Sequence, residues 1–169
     1  EAAVSAHQVL GRTDLLVIAE AYADYIDHCF GPEAGKIRGY DGHAEIEPAL
    51  YRLYEDTGID RYKRLADFFV EERGRKPYFF SEEPRNTNVG KNLVYELDES
   101  DYRHSQSHLP IREQNEAVGH AVKAMYFYTA AADKARLNHD MDLFQHVKKL
   151  WRNVTEEKMY LTGAIGSSA

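Results

Sequence analysis

Gly11-Arg12-Thr13-Asp14-Leu15 returns in altered form as Gly58-Ile59-Asp60-Arg61-Tyr62, and again, more loosely, as Asn138-His139-Asp140-Met141-Asp142-Leu143. Each copy opens on a helix-stopping residue and passes through an aspartate that can cap a new helix. Apolar residues then follow at helical spacing: Ala19, Ala23 and Ile26 after the first copy, Ala66, Phe69 and Val70 after the second. The first two glycines lie 47 residues apart, 58 minus 11. That period belongs to arrays of helical hairpins, in which each pair buries its apolar face on the next. The fold expected is all-α, either an open solenoid or a closed α/α toroid. Closing six hairpins at this period takes roughly 280 residues. The 169 residues supply three to four hairpins, so a partial toroid is expected.

Outward from the repeat, helices are expected at residues 1–10, 14–30, 43–57 and 60–73, stopped by Gly11, Gly31-Pro32, Gly58 and Gly74. Between about 75 and 110 the chain turns polar, with Pro77, Pro84 and Asn86-Thr87-Asn88. A long irregular loop is expected there, with a short helix near Leu93 to Leu97. Two long helices follow, at about 112–137 and 140–160. The chain is read as one domain, or a piece of one, because residue 1 falls inside an apparent helix.

Composition excludes several classes. At 43% hydrophobic and 29% charged the chain is globular, and a net charge of −7 without a basic run argues against nucleic acid and anionic membrane surfaces as partners. No apolar run approaches the ~20 residues of a spanning helix. Cys29 is the single cysteine, which rules out an intrachain disulfide or a cysteine-built zinc cluster within the chain, and it reads as a small buried hydrophobe. The compartment is left open.

Two helix starts carry chemistry. In Gly39-Tyr40-Asp41-Gly42-His43-Ala44-Glu45-Ile46-Glu47, His43 and Glu47 are four apart and are expected on one helical face, at a first turn with free N–H groups. The competing reading is that Glu47 caps its own helix and His43 is a satisfied, half-buried histidine. In His108-Leu109-Pro110-Ile111-Arg112-Glu113-Gln114 and the residues after it, Glu113, Glu116 and His120 are expected on one stripe. Gly119 would let a ligand approach, and Arg112 and Gln114 would add donors. That mixture of donors and acceptors suits sugar hydroxyls, and the competing reading is a buried polar network between hairpins. A metal held by the two histidines and two glutamates is disfavoured by their spacing. Glu47 with Glu113 or Glu116 could form the carboxylate pair of a glycosidase. Most aromatics, Tyr22, Tyr25, Tyr62, Phe69, Tyr126 and Tyr128 among them, are expected in the core. Tyr40 is expected to face a ligand.

The segments 39–47, 108–114, 117–122 and Lys158-Met159-Tyr160-Leu161-Thr162-Gly163, in this order and spacing, resemble glycoside hydrolase family 127, the β-L-arabinofuranosidase family, over essentially the whole chain. The resemblance implies an (α/α)6 catalytic domain followed by β-sandwich domains, acting as an exo-enzyme that releases β-L-arabinofuranose with retention. His43 and His120 match family histidines that hold the sugar. Glu47, Gln114 and Tyr40 are further substrate-binding candidates. Family members use a glutamate acid/base just beyond the Thr-Gly-x-Ile-Gly-Ser stretch and a later cysteine nucleophile tuned by zinc. Those residues lie past Ala169, so no catalytic residue, metal ligand or cofactor is expected in this chain, with zinc expected in a full-length enzyme. The expected partner is a carbohydrate, an L-arabinofuranosyl glycoside, together with self-association through bare helix faces. Two rivals stand beside this reading: another toroid sugar enzyme, an epimerase or unsaturated-glycoside hydrolase, and a helical-repeat interaction module.

Overall fold

In a computed structural model, which describes residues 1–86 and 98–166, the chain is a row of helical hairpins. The helices are α1 (Ala2–Leu10), α2 (Asp14–Cys29), α3 (Ile46–Thr57), α4 (Asp60–Glu72), α5 (Phe79–Asn86), α6 (Glu99–His104), α7 (Ala121–Leu137) and α8 (Met141–Asn153). Among the described residues there is no β-strand, only one isolated bridge between Phe30 and Ile37. The three sequence copies are the three hairpin turns, α1/α2, α3/α4 and α7/α8. Gly11 (φ 66°) and Gly58 (φ 70°) take the left-handed conformation that ends a helix. In the third turn His139 adopts φ 53°. A side chain tolerates that region only at a cost of roughly 1–2 kcal/mol, which explains why this copy is the loosest. Asp140 offsets part of the cost, its carboxylate accepting the Leu143 N–H (2.9 Å) as an N-cap.

α3 sits at the centre, packed on α4, α7 and α1, while α7 also packs on α4 and α8. Tyr51, Tyr62, Ala66, Val70, Phe127, Ala130, Leu143 and Leu150 are fully buried between them. The end helices are bare: Ile18, Tyr22 and Tyr25 form one apolar stripe on α2, each about two-thirds exposed (66%, 67% and 65%), and Phe144 and Trp151 do the same on α8. Tyr22 and Tyr25 are therefore not core residues, whereas Tyr62, Phe69 and Tyr128 are.

Four boundaries differ from expectation, one being the last helix, expected to run to about 160, where α8 ends at Asn153 and a π turn, Val154–Lys158, follows. The polar stretch 75–110 is not irregular throughout, since it contains α5 and α6; the short helix expected near Leu93 lies outside the described residues. α6 is started by a capping box, in which Asp98 accepts the Ser100 and Asp101 N–H groups and Asp101 accepts that of Asp98. α3 begins at Ile46, which leaves His43 in the turn before it. The largest difference is α7, which begins at Ala121 rather than near 112. Ile111–Glu113 make a 3₁₀ turn, Gln114 is extended, Gly119 has φ 78°, and His120 is the extended N-cap, its Nδ1 accepting the Lys123 N–H at 3.4 Å. A left-handed glycine directly before a capping residue cannot sit inside a helix. The expected stripe of Glu113, Glu116 and His120 therefore does not exist.

Candidate functional site

The breaks before α3 and α7 bring the two expected histidines together. The rings of His43 and His120 meet edge to face, 6.1 Å between centroids. His104, the last residue of α6, packs its ring 5.3 Å from His120, and Tyr126, in the second turn of α7, lies 5.9 Å from His43. The result is a row of three imidazoles and a phenol drawn from the His43 turn, the end of α6 and the start of α7. His43 is about one-third exposed and lies 3.5 Å from the Glu45 carboxylate. His104 is exposed, and its pKa is pushed below the ordinary histidine value by desolvation, by Lys123 and by His120. A neutral imidazole both donates and accepts, which is what a sugar hydroxyl requires.

Beneath the row lies a charged floor. Arg73 (1% exposed) and Glu47 (0% exposed) are paired at 3.2 Å, and Asp41 binds the same guanidinium. Burial raises the Glu47 carboxyl to about 7, Arg73 opposing and Asp41 adding to the effect. Asp41 is likewise raised by burial, against Arg73 and the N–H groups of Ile46 and Glu45. Lys123 is lowered by desolvation and by Arg73.

Glu47, Gln114 and Tyr40 are not brought to the row. Glu47 points into the core on Arg73 and shares no helical face with His43, because His43 precedes the helix. Gln114 is fully buried, its amide donating to the carbonyls of Gln106 (3.0 Å) and Leu109 (2.8 Å), and so braces the loop. Tyr40, expected to face a ligand, is 2% exposed between Phe79 and Phe80, with Arg73 4.7 Å above its ring. The candidate carboxylate pair is also dispersed: Glu116 is half-exposed and bound to Lys158 at 2.6 Å. Arg112 pairs with Asp140 (2.6 Å) and Glu71 (3.3 Å).

Sequence reasoning missed His104, Tyr126, Arg73 and Lys123. Tyr126 falls at a helical-packing position, yet it is 40% exposed and rests on His43. His104 ends a helix whose Asp98-to-Asp101 capping box was the one local signal for it. A cavity of about 300 Å3 beside Gly119 is lined mainly by small and apolar residues such as Ala117, Ala121, Ala124 and Ile165 and contains none of the four rings. Cys29 is the chain's single thiol, and among the described residues no three His, Cys, Asp or Glu side chains converge to hold an ion.

The whole chain, residues 1–169, matches the family model described as β-L-arabinofuranosidase, GH127 catalytic domain. It is 43% identical over 168 residues to a non-reducing end β-L-arabinofuranosidase of Bifidobacterium longum subsp. longum, covering 99% of this chain and 25% of that protein. A crystal structure of a GH127 β-L-arabinofuranosidase from Geobacillus stearothermophilus T6 superposes with a TM-score of 0.89 at 46% identity, over 99% of this chain and 26% of that one. A second solved GH127 β-arabinofuranosidase gives 0.79 at 34% identity, over 97% and 22%. The chain thus spans about a quarter of the length of these relatives. An all-α row of hairpins forming part of a helical toroid, matched from end to end by that model, belongs to the glycoside hydrolase family 127 catalytic-domain family.

Proposed function

We propose that this chain forms one wall of a β-L-arabinofuranosyl pocket in a retaining, exo-acting β-L-arabinofuranosidase, with His43 and His120 as hydroxyl partners and His104 and Tyr126 completing the row. The observation that carries this reading is the convergence of three imidazoles and a phenol, from three separate segments, at an accessible face. Tyr40, Glu47 and Gln114 serve it from behind. On this reading the acid/base, the nucleophile and the zinc they work with belong to parts of the enzyme outside the quarter matched here. No step of the reaction is routed through this chain's residues beyond binding and orientation.

Calorimetric titration with methyl β-L-arabinofuranoside tests the reading. His43→Ala and His120→Ala should each weaken binding about tenfold, the loss expected for one or two hydrogen bonds to a sugar. An aryl β-L-arabinofuranoside should release no phenol above buffer. Unchanged affinity in both variants, or turnover abolished by Glu47→Gln, would overturn it.

The bare stripes on α2 and α8 belong to the same reading, since the terminal units of a hairpin array expose faces that further hairpins cover. The chain should self-associate through them. Sedimentation should show mass rising with concentration, and Tyr22→Lys with Tyr25→Lys should suppress the rise; a monomer at all concentrations would reject this.

A further inference from the structure

Arg73 follows the last residue of α4, where the backbone leaves the helix (φ −60°, ψ 124°), and its side chain is sealed from solvent. One of its terminal nitrogens donates to the Ser105 carbonyl (3.3 Å). The other donates to the Asp41 carbonyl (3.0 Å), the Asp41 carboxylate and Glu47 Oε1 (3.2 Å). Its planar group also lies 4.7 Å from the Tyr40 ring centroid and 5.4 Å from that of Phe127.

These partners come from the pieces of chain that hold the imidazoles. Asp41 is two residues before His43, Ser105 is the residue after His104, and Phe127 is two turns along the helix that His120 caps. We propose that Arg73 is a positioning residue that sets the register of His43 against the other two imidazoles without touching the ligand. This rests on the reading of the row as a sugar site. An arginine is required because the task needs a fork of donors and two stacking faces at once, whereas a lysine brings only the charge.

The structure also says which joint Arg73 controls. His104 and His120 are tied to each other directly, the His120 N–H donating to the His104 carbonyl at 3.1 Å. Gln106 clamps the same two strands of chain, its amide donating to the carbonyls of Val118 (2.8 Å), His104 (3.2 Å) and His120 (3.4 Å). Among the described residues, the His43 turn has no comparable clamp to that pair. Beside the ring contacts of His43 with His120 and Tyr126, its hydrogen-bonded link to them runs through Arg73: Asp41 on one side of the guanidinium, Ser105 on the other.

The test measures ring-to-ring nuclear Overhauser effects among labelled histidines in the wild-type chain, Arg73→Lys and Asp41→Ala, together with affinity for methyl β-L-arabinofuranoside. In both variants the His104–His120 cross-peak should persist while the His43–His120 cross-peak weakens several-fold. Affinity should fall about tenfold in Arg73→Lys, and less in Asp41→Ala, which keeps the backbone contact to Arg73. If Arg73→Lys does not fold, the partly exposed Asp41→Ala decides the matter alone. A His43–His120 cross-peak of wild-type strength in the folded variants, or loss of both cross-peaks together, overturns the proposal. The cross-peaks decide the register whether or not sugar binds, and a wild-type chain that shows them yet binds no sugar refutes the sugar reading alone.

Discussion

Gly119→Ala is expected to destabilise the chain by about 3 kcal/mol or more, beyond what an ordinary glycine-to-alanine change costs. Two effects add. The residue has φ 78°, a conformation that costs an L-residue roughly 1–2 kcal/mol. A Cβ there would also fall on the Arg103 carbonyl oxygen and lie 2.7 Å from the His104 Cα. Both are backbone atoms, so no side-chain swing relieves the overlap. The end of α6 must move away from the start of α7. That movement stretches the bond from the His120 N–H to the His104 carbonyl and pulls two of the three imidazoles apart. Gly58→Ala is the internal comparison: its φ of 70° is similar, but nothing lies within 4 Å of the new atom, so only the conformational cost of roughly 1–2 kcal/mol applies. Urea unfolding of the two variants reads the difference. Equal losses in both would show that the contact with α6 relaxes freely.

The fold was legible where backbone chemistry is local. Gly11 and Gly58 announce hairpin turns because the left-handed conformation they need is one that few other residues accept. The third turn was visible only faintly because His139 fills that role at a cost. Apolar spacing failed in one instructive place. Ala117 and Ala124, seven apart, recur as if along one helix, and both are buried, yet the first is held by a loop that Gly119 and His120 divide from α7. Burial alone produced the periodicity. The candidate site was half legible. His43 and His120 were found from polar helix starts, but their meeting depends on neither of them being inside a helix. Arg73 was invisible because its partners lie 26 to 54 residues away in sequence, at Glu47, Asp41, Ser105 and Phe127. No local pattern encodes such a hub. Tyr40 and Gln114 lie buried for the complementary reason: a polar segment can bury its members when backbone carbonyls and aromatic rings receive them.

Glu47 should make stability fall as pH rises through the neutral range, the opposite of the behaviour of an ordinary ion-paired carboxylate. Its folded value of about 7 stands above the ordinary 4.5, chiefly through burial. Between those values the folded chain keeps a proton that the unfolded chain releases. The stabilisation is complete below pH 4.5 and is lost as pH climbs to about 7, a swing of roughly 3 kcal/mol. Other groups work against it in part of the same window. His104 and His108 are lowered by burial, so they subtract stability as pH falls below the ordinary 6.5. The wild-type profile alone therefore mixes signs, and the difference from Glu47→Gln isolates the carboxyl. At pH 5 glutamine mimics the protonated acid and the two chains should unfold at similar urea concentrations. By pH 8 the variant should be the more stable by roughly 3 kcal/mol, because it never places a second negative charge beside Asp41 in a dry core. A gap that stays constant with pH, or one that closes as pH rises, would mean that Glu47 is ionised throughout. The attraction of Arg73 would then outweigh the cost of burial.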